Sequence, residues 1–163
     1  MMGSYRVSLD AAFDKIRQTI KIDITGGDLI TPRAIEYSYK LMLEDRAINL
    51  MAYNIETVLS EKIETIITRG VTNTRMRDYY DIYILTSTQQ YDTDTLLAAF
   101  GNTARQRGTT EQLSNIAGSI KAIEDSSIMI GLWQKYQGKY SYAEGISWTM
   151  AMDALRKLAA RLQ

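Results

Sequence analysis

The sequence predicts an α+β protein: an N-terminal, mostly antiparallel sheet of about four strands, followed by a C-terminal helical bundle. Two observations predict it. Up to about residue 54, apolar side chains recur at every second position, the period of a strand with one covered face. Beyond residue 54 they recur at spacings of three and four, the period of an amphipathic helix.

The strands follow in order. Tyr5, Val7 and Leu9 alternate with Arg6, Ser8 and Asp10. Ile20, Ile22 and Ile24 alternate with Thr19, Lys21 and Asp23. Gly26-Gly27-Asp28 breaks the chain, and Pro32 favours an extended or edge position. Ile35, Tyr37, Tyr39 and Leu41 form the third alternation, and Ile48, Leu50 and Ala52 the fourth. Glu44-Asp45-Arg46 between them reads as a hairpin turn. One face of the four strands is expected to be covered.

The helices come next. Asn54 caps a helix that Gly70 closes, with Ile55, Val58, Leu59, Ile63, Ile66 and Ile67 on its apolar stripe. Asn73 or Thr74 caps the second. Thr93 or Asp94 opens a third, which Gly108 ends. Thr109 or Thr110 opens a fourth that runs to about Glu124, with Leu113, Ile116, Ile120 and Ile123 inward. A short helix holds Ile128, Leu132, Trp133 and Tyr136. A last one runs from Tyr142 to Leu162, with Ile146, Met150, Leu155, Leu158 and Leu162 as core positions. Residues 1–90 are expected to form one α+β part, and residues 91–163 a helical part packed on it as one unit.

Composition narrows the chemistry. The chain has 163 residues, 45% of them apolar, enough for an ordinary core. Nineteen basic residues balance nineteen acidic ones, so any contact with nucleic acid must be local. With no Cys and no His, thiol catalysis, histidine bases and Cys/His zinc sites are excluded. A metal would be a hard cation held by carboxylates, such as Mg²⁺. No apolar run approaches the ~20 residues of a membrane span and no signal peptide is visible, so the expected location is cytoplasmic.

The most informative segment is Asn73–Leu85. Asp78 lies one and two turns before Ile82 and Leu85, on the apolar side of the helix, and Asp81 borders that side. An unpaired carboxylate there is expensive to bury, so a partner is required. Lys62 supplies one. It sits four after Val58 and four before Ile66, inside the stripe of the preceding helix. A charged pocket between the two helices is expected; a structural ion pair is the plainer reading of the same residues. On the second strand, Lys21 and Asp23 point away from the Ile20-Ile22-Ile24 face.

Taken together, these segments resemble the AbiEii/AbiGii family of nucleotidyltransferase-like toxins. Lys21-Ile-Asp23-Ile is followed by Gly27-Asp28, then by Tyr53-x-x-Glu56-x-x-x-x-Glu61-Lys62, then by Arg75-x-Arg77-Asp78-x-x-Asp81, spanning residues 5–87. The resemblance implies a polymerase-β-like nucleotidyltransferase fold, here partial. It implies transfer of a nucleoside monophosphate from an NTP to an RNA hydroxyl, notably a tRNA acceptor end, with Mg²⁺ as cofactor. Asp23 matches the strand carboxylate that acts as metal ligand or base. Lys62, Arg75, Arg77 and Asp78 match nucleotide-contacting positions, with Lys21, Glu56, Glu61 and Asp81 in support. Arg77 stands where the family usually has lysine, which keeps the charge and changes the geometry.

One family motif has no counterpart. A Gly-Gly-Thr or Gly-Ser turn followed by Asp-x-Asp should lie upstream of Asp23. Gly3-Ser4 is followed by no Asp-x-Asp, and Asp10 and Asp14 are too far apart for adjacent positions on one strand face. The chain is therefore expected to be the C-terminal part of a longer toxin, or a truncated relative, and inactive by itself. The alternative in a different class is a non-catalytic module that binds nucleotide or a cognate antitoxin. An unrelated domain with ordinary ion pairs is the third reading. An incomplete sheet would leave an exposed edge, so a homo-oligomer is also expected.

Overall fold

The computed structural model describes residues 4–162; Met1–Gly3, including the glycine of the Gly3-Ser4 pair, and Gln163 lie outside the described residues. Two antiparallel hairpins open the chain. Strands β1 (Ser4–Phe13) and β2 (Ile16–Thr25) form one, and β3 (Ile35–Lys40) and β4 (Ala47–Ala52) the other. Each is a separate two-stranded sheet. Tyr5, Val7 and Leu9 oppose Ile24, Ile22 and Ile20 on one face of the first hairpin, while Arg6, Ser8 and Asp10 oppose Asp23, Lys21 and Thr19 on the other. Asp14 makes the tight turn with a positive φ of 52°, which a short polar side chain tolerates.

The expected alternation is present, but the expected cover is not. Tyr5 is 71% exposed and Leu50 42% exposed, and every residue with a described side chain in β2 and β3 is exposed. Period-two patterning marks which face is apolar; it does not specify what packs on it.

The core lies in the helices: α1 (Ile55–Arg69), α2 (Met76–Thr88), α3 (Thr93–Arg107), α4 (Ile116–Glu124), α5 (Ser127–Lys139) and α6 (Trp148–Ala159). Among the described residues, one buried cluster runs from Leu59 on α1 to Leu162 after α6. Trp133 and Tyr79 are its largest fully buried members, and the Tyr79 ring packs 5.3 Å from that of Trp148. None of the described helices is long and apolar enough to cross a membrane.

Local chemistry sets the helix ends. Asn54 caps α1 by accepting a hydrogen bond from the Thr57 amide at 3.2 Å. Gly70 ends it with φ 53°, and Gly108 ends α3 in the left-handed region. Asp92, rather than Thr93 or Asp94, caps α3, because its carboxylate reaches the Thr95 amide at 2.8 Å. The fourth helix starts at Ile116, after a 3-10 turn over Gln112–Asn115 and under the Asn115 cap. The last helix starts at Trp148, not Tyr142, where Ser147 caps it; Ser141–Ala143 is a separate 3-10 turn and Met150 is exposed.

The Gly26–Arg33 connection is tied mainly to the helical body, with one bond back to the first hairpin, from the Thr25 hydroxyl to Asp28 at 3.0 Å. Thr31 receives the Asn54 amide on its carbonyl at 2.6 Å and donates its own amide to the Thr57 hydroxyl at 3.0 Å. Asn102 on α3 reaches the Thr31 hydroxyl at 2.8 Å, and Gln106 bonds Gly27 and Leu29.

Candidate functional site

The stripe of α1 buries Leu59, Ile63 and Ile66 completely and carries Lys62 among them. The chain then reverses through the 3-10 turn Gly70–Thr72 and fully buried Asn73, whose side-chain oxygen accepts from the Arg75 amide at 3.0 Å. That reversal lays the first turns of α2 against α1. Lys62 Nζ donates to Asp78 Oδ1 at 3.1 Å and to Asp81 Oδ2 at 2.6 Å. The three side chains are 20%, 14% and 25% exposed, so the cluster is mostly dry.

One ammonium between two carboxylates leaves this cluster with a net charge of −1. Burial works to lower the Lys62 pKa; the hydrogen bond and charge of Asp81, followed by those of Asp78, outweigh it and raise the pKa above 10.5. Lys62 is thus firmly charged and already committed. Asp78 sits in the first turn of α2, where the helix dipole favours an anion. Arg75, rather than Asn73 or Thr74, holds the N-cap position of α2 without a side-chain cap, and Arg77 lies in the first turn; both are exposed and neither has an ion pair among the described residues.

Glu56 and Glu61 lie on α1 but face other partners. Glu56 is buried and accepts from the Asp92 amide at 2.9 Å, fastening the start of α3. Glu61 lies 3.6 Å from Arg107 of α3. Burial raises its pKa above 4.5, with Arg107 pulling the other way. Glu64 and Arg107 join the same network without having been singled out from the sequence. Glu64 meets Arg107 Nη1 at 2.5 Å and the Thr109 hydroxyl at 2.8 Å, with its own side chain 3% exposed. The signal was the line Thr57, Ser60, Glu64 at helical spacing, all buried. Tyr53 donates to Asp28 at 2.7 Å beside this network, and burial followed by the Asp28 contact pushes its hydroxyl up to about 12.

Asp23 is placed apart. It sits on the polar face of the first hairpin, opposite Arg6, and takes both its guanidinium donors, at 2.5 and 2.9 Å. The Arg6 hydrogen bond holds its carboxyl below the usual 3.8. Lys21 lies on the same face, opposite Ser8. No described hydrogen bond or ion pair joins Asp23 to Lys62, Asp78 or Asp81.

Mg²⁺ requires several hard oxygen ligands converging on near-octahedral geometry. Among the described residues no three carboxylates gather in that way. Asp23 spends both oxygens on Arg6, and Asp78 and Asp81 each spend one on Lys62. The donor set as arranged does not fit a resident Mg²⁺.

The comparisons with known proteins bear on residues 1–156, which match the family model described as nucleotidyl transferase AbiEii toxin, type IV toxin–antitoxin system. No curated protein and no solved structure matches the chain. With a match over nearly the whole sequence, the chain belongs to the AbiEii nucleotidyl transferase toxin family.

Proposed function

We propose that this chain binds nucleotide at the start of α2 and does not by itself transfer NMP. The full reaction of this family, in our reading, moves NMP from an NTP to an RNA acceptor, with tRNA as that RNA and pyrophosphate as the leaving group. The observation that carries the proposal is the pairing of Asp23 with Arg6. A carboxylate that is to activate an acceptor hydroxyl needs a free oxygen within hydrogen-bond reach of it. Asp23 has both oxygens engaged, and its contacts do not lead to Lys62 or Asp78.

Charge recognition is what the arrangement supports. Phosphate oxygens are recognised by planar guanidinium groups, often through two parallel bonds. Arg75 and Arg77 offer two such groups with no competing carboxylate. Lys62, Asp78 and Asp81 then hold the α2 turn in place, while Glu56 and Glu61 fasten α1 to the start and end of α3. A cognate antitoxin is the proposed protein partner and the cytoplasm the proposed location. The test is incubation with labelled NTPs, Mg²⁺ and deacylated tRNA. The expected result is no labelled RNA; label on tRNA that disappears in Asp23→Asn would overturn the proposal.

A further inference from the structure

We propose that the groove between the start of α2 and the outer face of α5 binds a single-stranded polynucleotide. Its phosphates would lie on Arg75, Arg77, Lys135 and Lys139, and a base would stack on Tyr140. This deepens the reading above, since Arg75 and Arg77 serve both.

The groove encloses about 480 Å³, within the range of small-ligand pockets, and is open along its length. Its two walls arise from helical spacing. Arg75 is the N-cap of α2 and Arg77 lies in its first turn, while Lys135 and Lys139 stand one turn apart on α5, whose opposite side buries Met129 and Trp133. None of the four cations has an ion pair among the described residues. The acidic residue lining the groove is Asp78, which is already bound to Lys62. In a chain with no net charge, this is a local excess of positive charge.

The second component is aromatic. Tyr140 stacks on Tyr142 with centroids 5.3 Å apart and planes 26° from parallel, and Tyr136 packs 4.8 Å from Tyr140. Tyr142 also packs on Tyr80 of α2, at 4.8 Å, so the platform is braced by the helix that carries Arg75 and Arg77. Lys139 Nζ lies 5.3 Å from the centre of the Tyr140 ring. An exposed cation–π contact of that kind is weaker than base–aromatic stacking. A base can therefore replace the ammonium over the ring, freeing Lys139 for a phosphate. Cations interleaved with tyrosines suit single strands, because a duplex keeps its base faces inside the stack.

Fluorescence anisotropy with a labelled mixed-sequence RNA 8-mer tests this, with the same sequence as a duplex and unlabelled NTPs as comparators. Four phosphate contacts predict a log–log salt slope of about −3, or roughly a 50-fold loss of affinity between 50 and 200 mM salt. The single strand should bind at least tenfold more tightly than the duplex. The exposed double variant Lys135→Glu/Lys139→Glu should lose about 30-fold or more, and Tyr140→Leu about tenfold, while Tyr140→Phe keeps affinity. Thermal melts establish that each variant is folded. Equal binding of duplex and single strand, or wild-type affinity in the double variant, would overturn the proposal. The double variant should still bind mononucleotide. If it loses RNA while Arg77→Gln leaves NTP binding intact, the groove stands and the nucleotide reading fails; NTP binding that needs Arg77 beside RNA binding indifferent to Lys135 and Lys139 gives the reverse.

Discussion

Lys62→Met perturbs the centre of the α1–α2 contact. At an effective dielectric of about 20, separations of 3.1 and 2.6 Å correspond to roughly 5 and 6 kcal/mol of gross attraction. Desolvating each ion costs several kcal/mol, so most of that attraction is offset in the folded protein. Removing the lysine removes the offset as well. It leaves two carboxylates, each at least three-quarters buried, facing one another without a cation. The expected destabilisation is about 3 kcal/mol, the low end for breaking a buried pair, because some exposure remains. Urea unfolding followed by circular dichroism should show a lower midpoint with an unchanged slope. The informative control is Lys62→Met/Asp78→Asn/Asp81→Asn, which removes all three charges and should return to within about 1 kcal/mol of wild type. A loss below about 1 kcal/mol for Lys62→Met alone, as for a surface pair, would refute the claim that the cluster is dry.

Other expectations follow from the same contacts. Burial raises the Glu61 carboxyl above 4.5, so the folded chain holds its proton longer than the unfolded chain and stability falls as pH rises from about 4.5 through the folded pKa. Glu61→Gln should flatten that fall in urea midpoints taken between pH 4 and 7; an unchanged slope contradicts it. The Arg6–Asp23 pair lies fully in solvent, and its depressed Asp23 pKa means that any contribution is lost as pH drops through that value. Arg6→Ala should therefore leave the thermal midpoint at pH 7 almost unmoved, and a large drop would mean that the hairpin is covered. Asn54→Ala removes both the α1 cap and the bond to Thr31, and should cost about 1–2 kcal/mol in urea unfolding. The self-association expected at an exposed sheet edge is proposed to cover also the adjoining uncharged face of Tyr5, Val7, Leu9, Ile20, Ile22 and Ile24. Sedimentation across a concentration series should show a dimer that Ile22→Glu disperses, and a clean monomer at all concentrations contradicts this.

Much of the backbone was legible because local rules decide it. Asn54 and Gly70 bracket α1 through a cap and a positive φ, and both signals are read directly from residue type. The placement of Lys62 and Asp78 on facing stripes follows from helical spacing alone. Where several neighbours could serve, residue type was not enough: Asp92, Thr93 and Asp94 are all cap formers, and it is Asp92 whose carboxylate accepts from the Thr95 amide. The Glu64–Arg107 network joins residues 43 apart, so the polar line Thr57, Ser60 and Glu64 on α1 could signal a polar face but not its partner. The cover of the strand faces was illegible for the opposite reason, since alternation predicts an apolar face and is silent about its partner. For Asp23, sequence spacing puts it on the polar face of its strand, while the cross-strand register that hands it to Arg6 is fixed only by the Asp14 turn.

The most direct test of the central claim is calorimetric titration of the chain with each NTP, with and without Mg²⁺, in wild type, Arg77→Gln and Asp23→Asn. Binding should weaken at least tenfold in Arg77→Gln and be unchanged in Asp23→Asn. Binding abolished by Asp23→Asn, or no binding by the wild type, would contradict it.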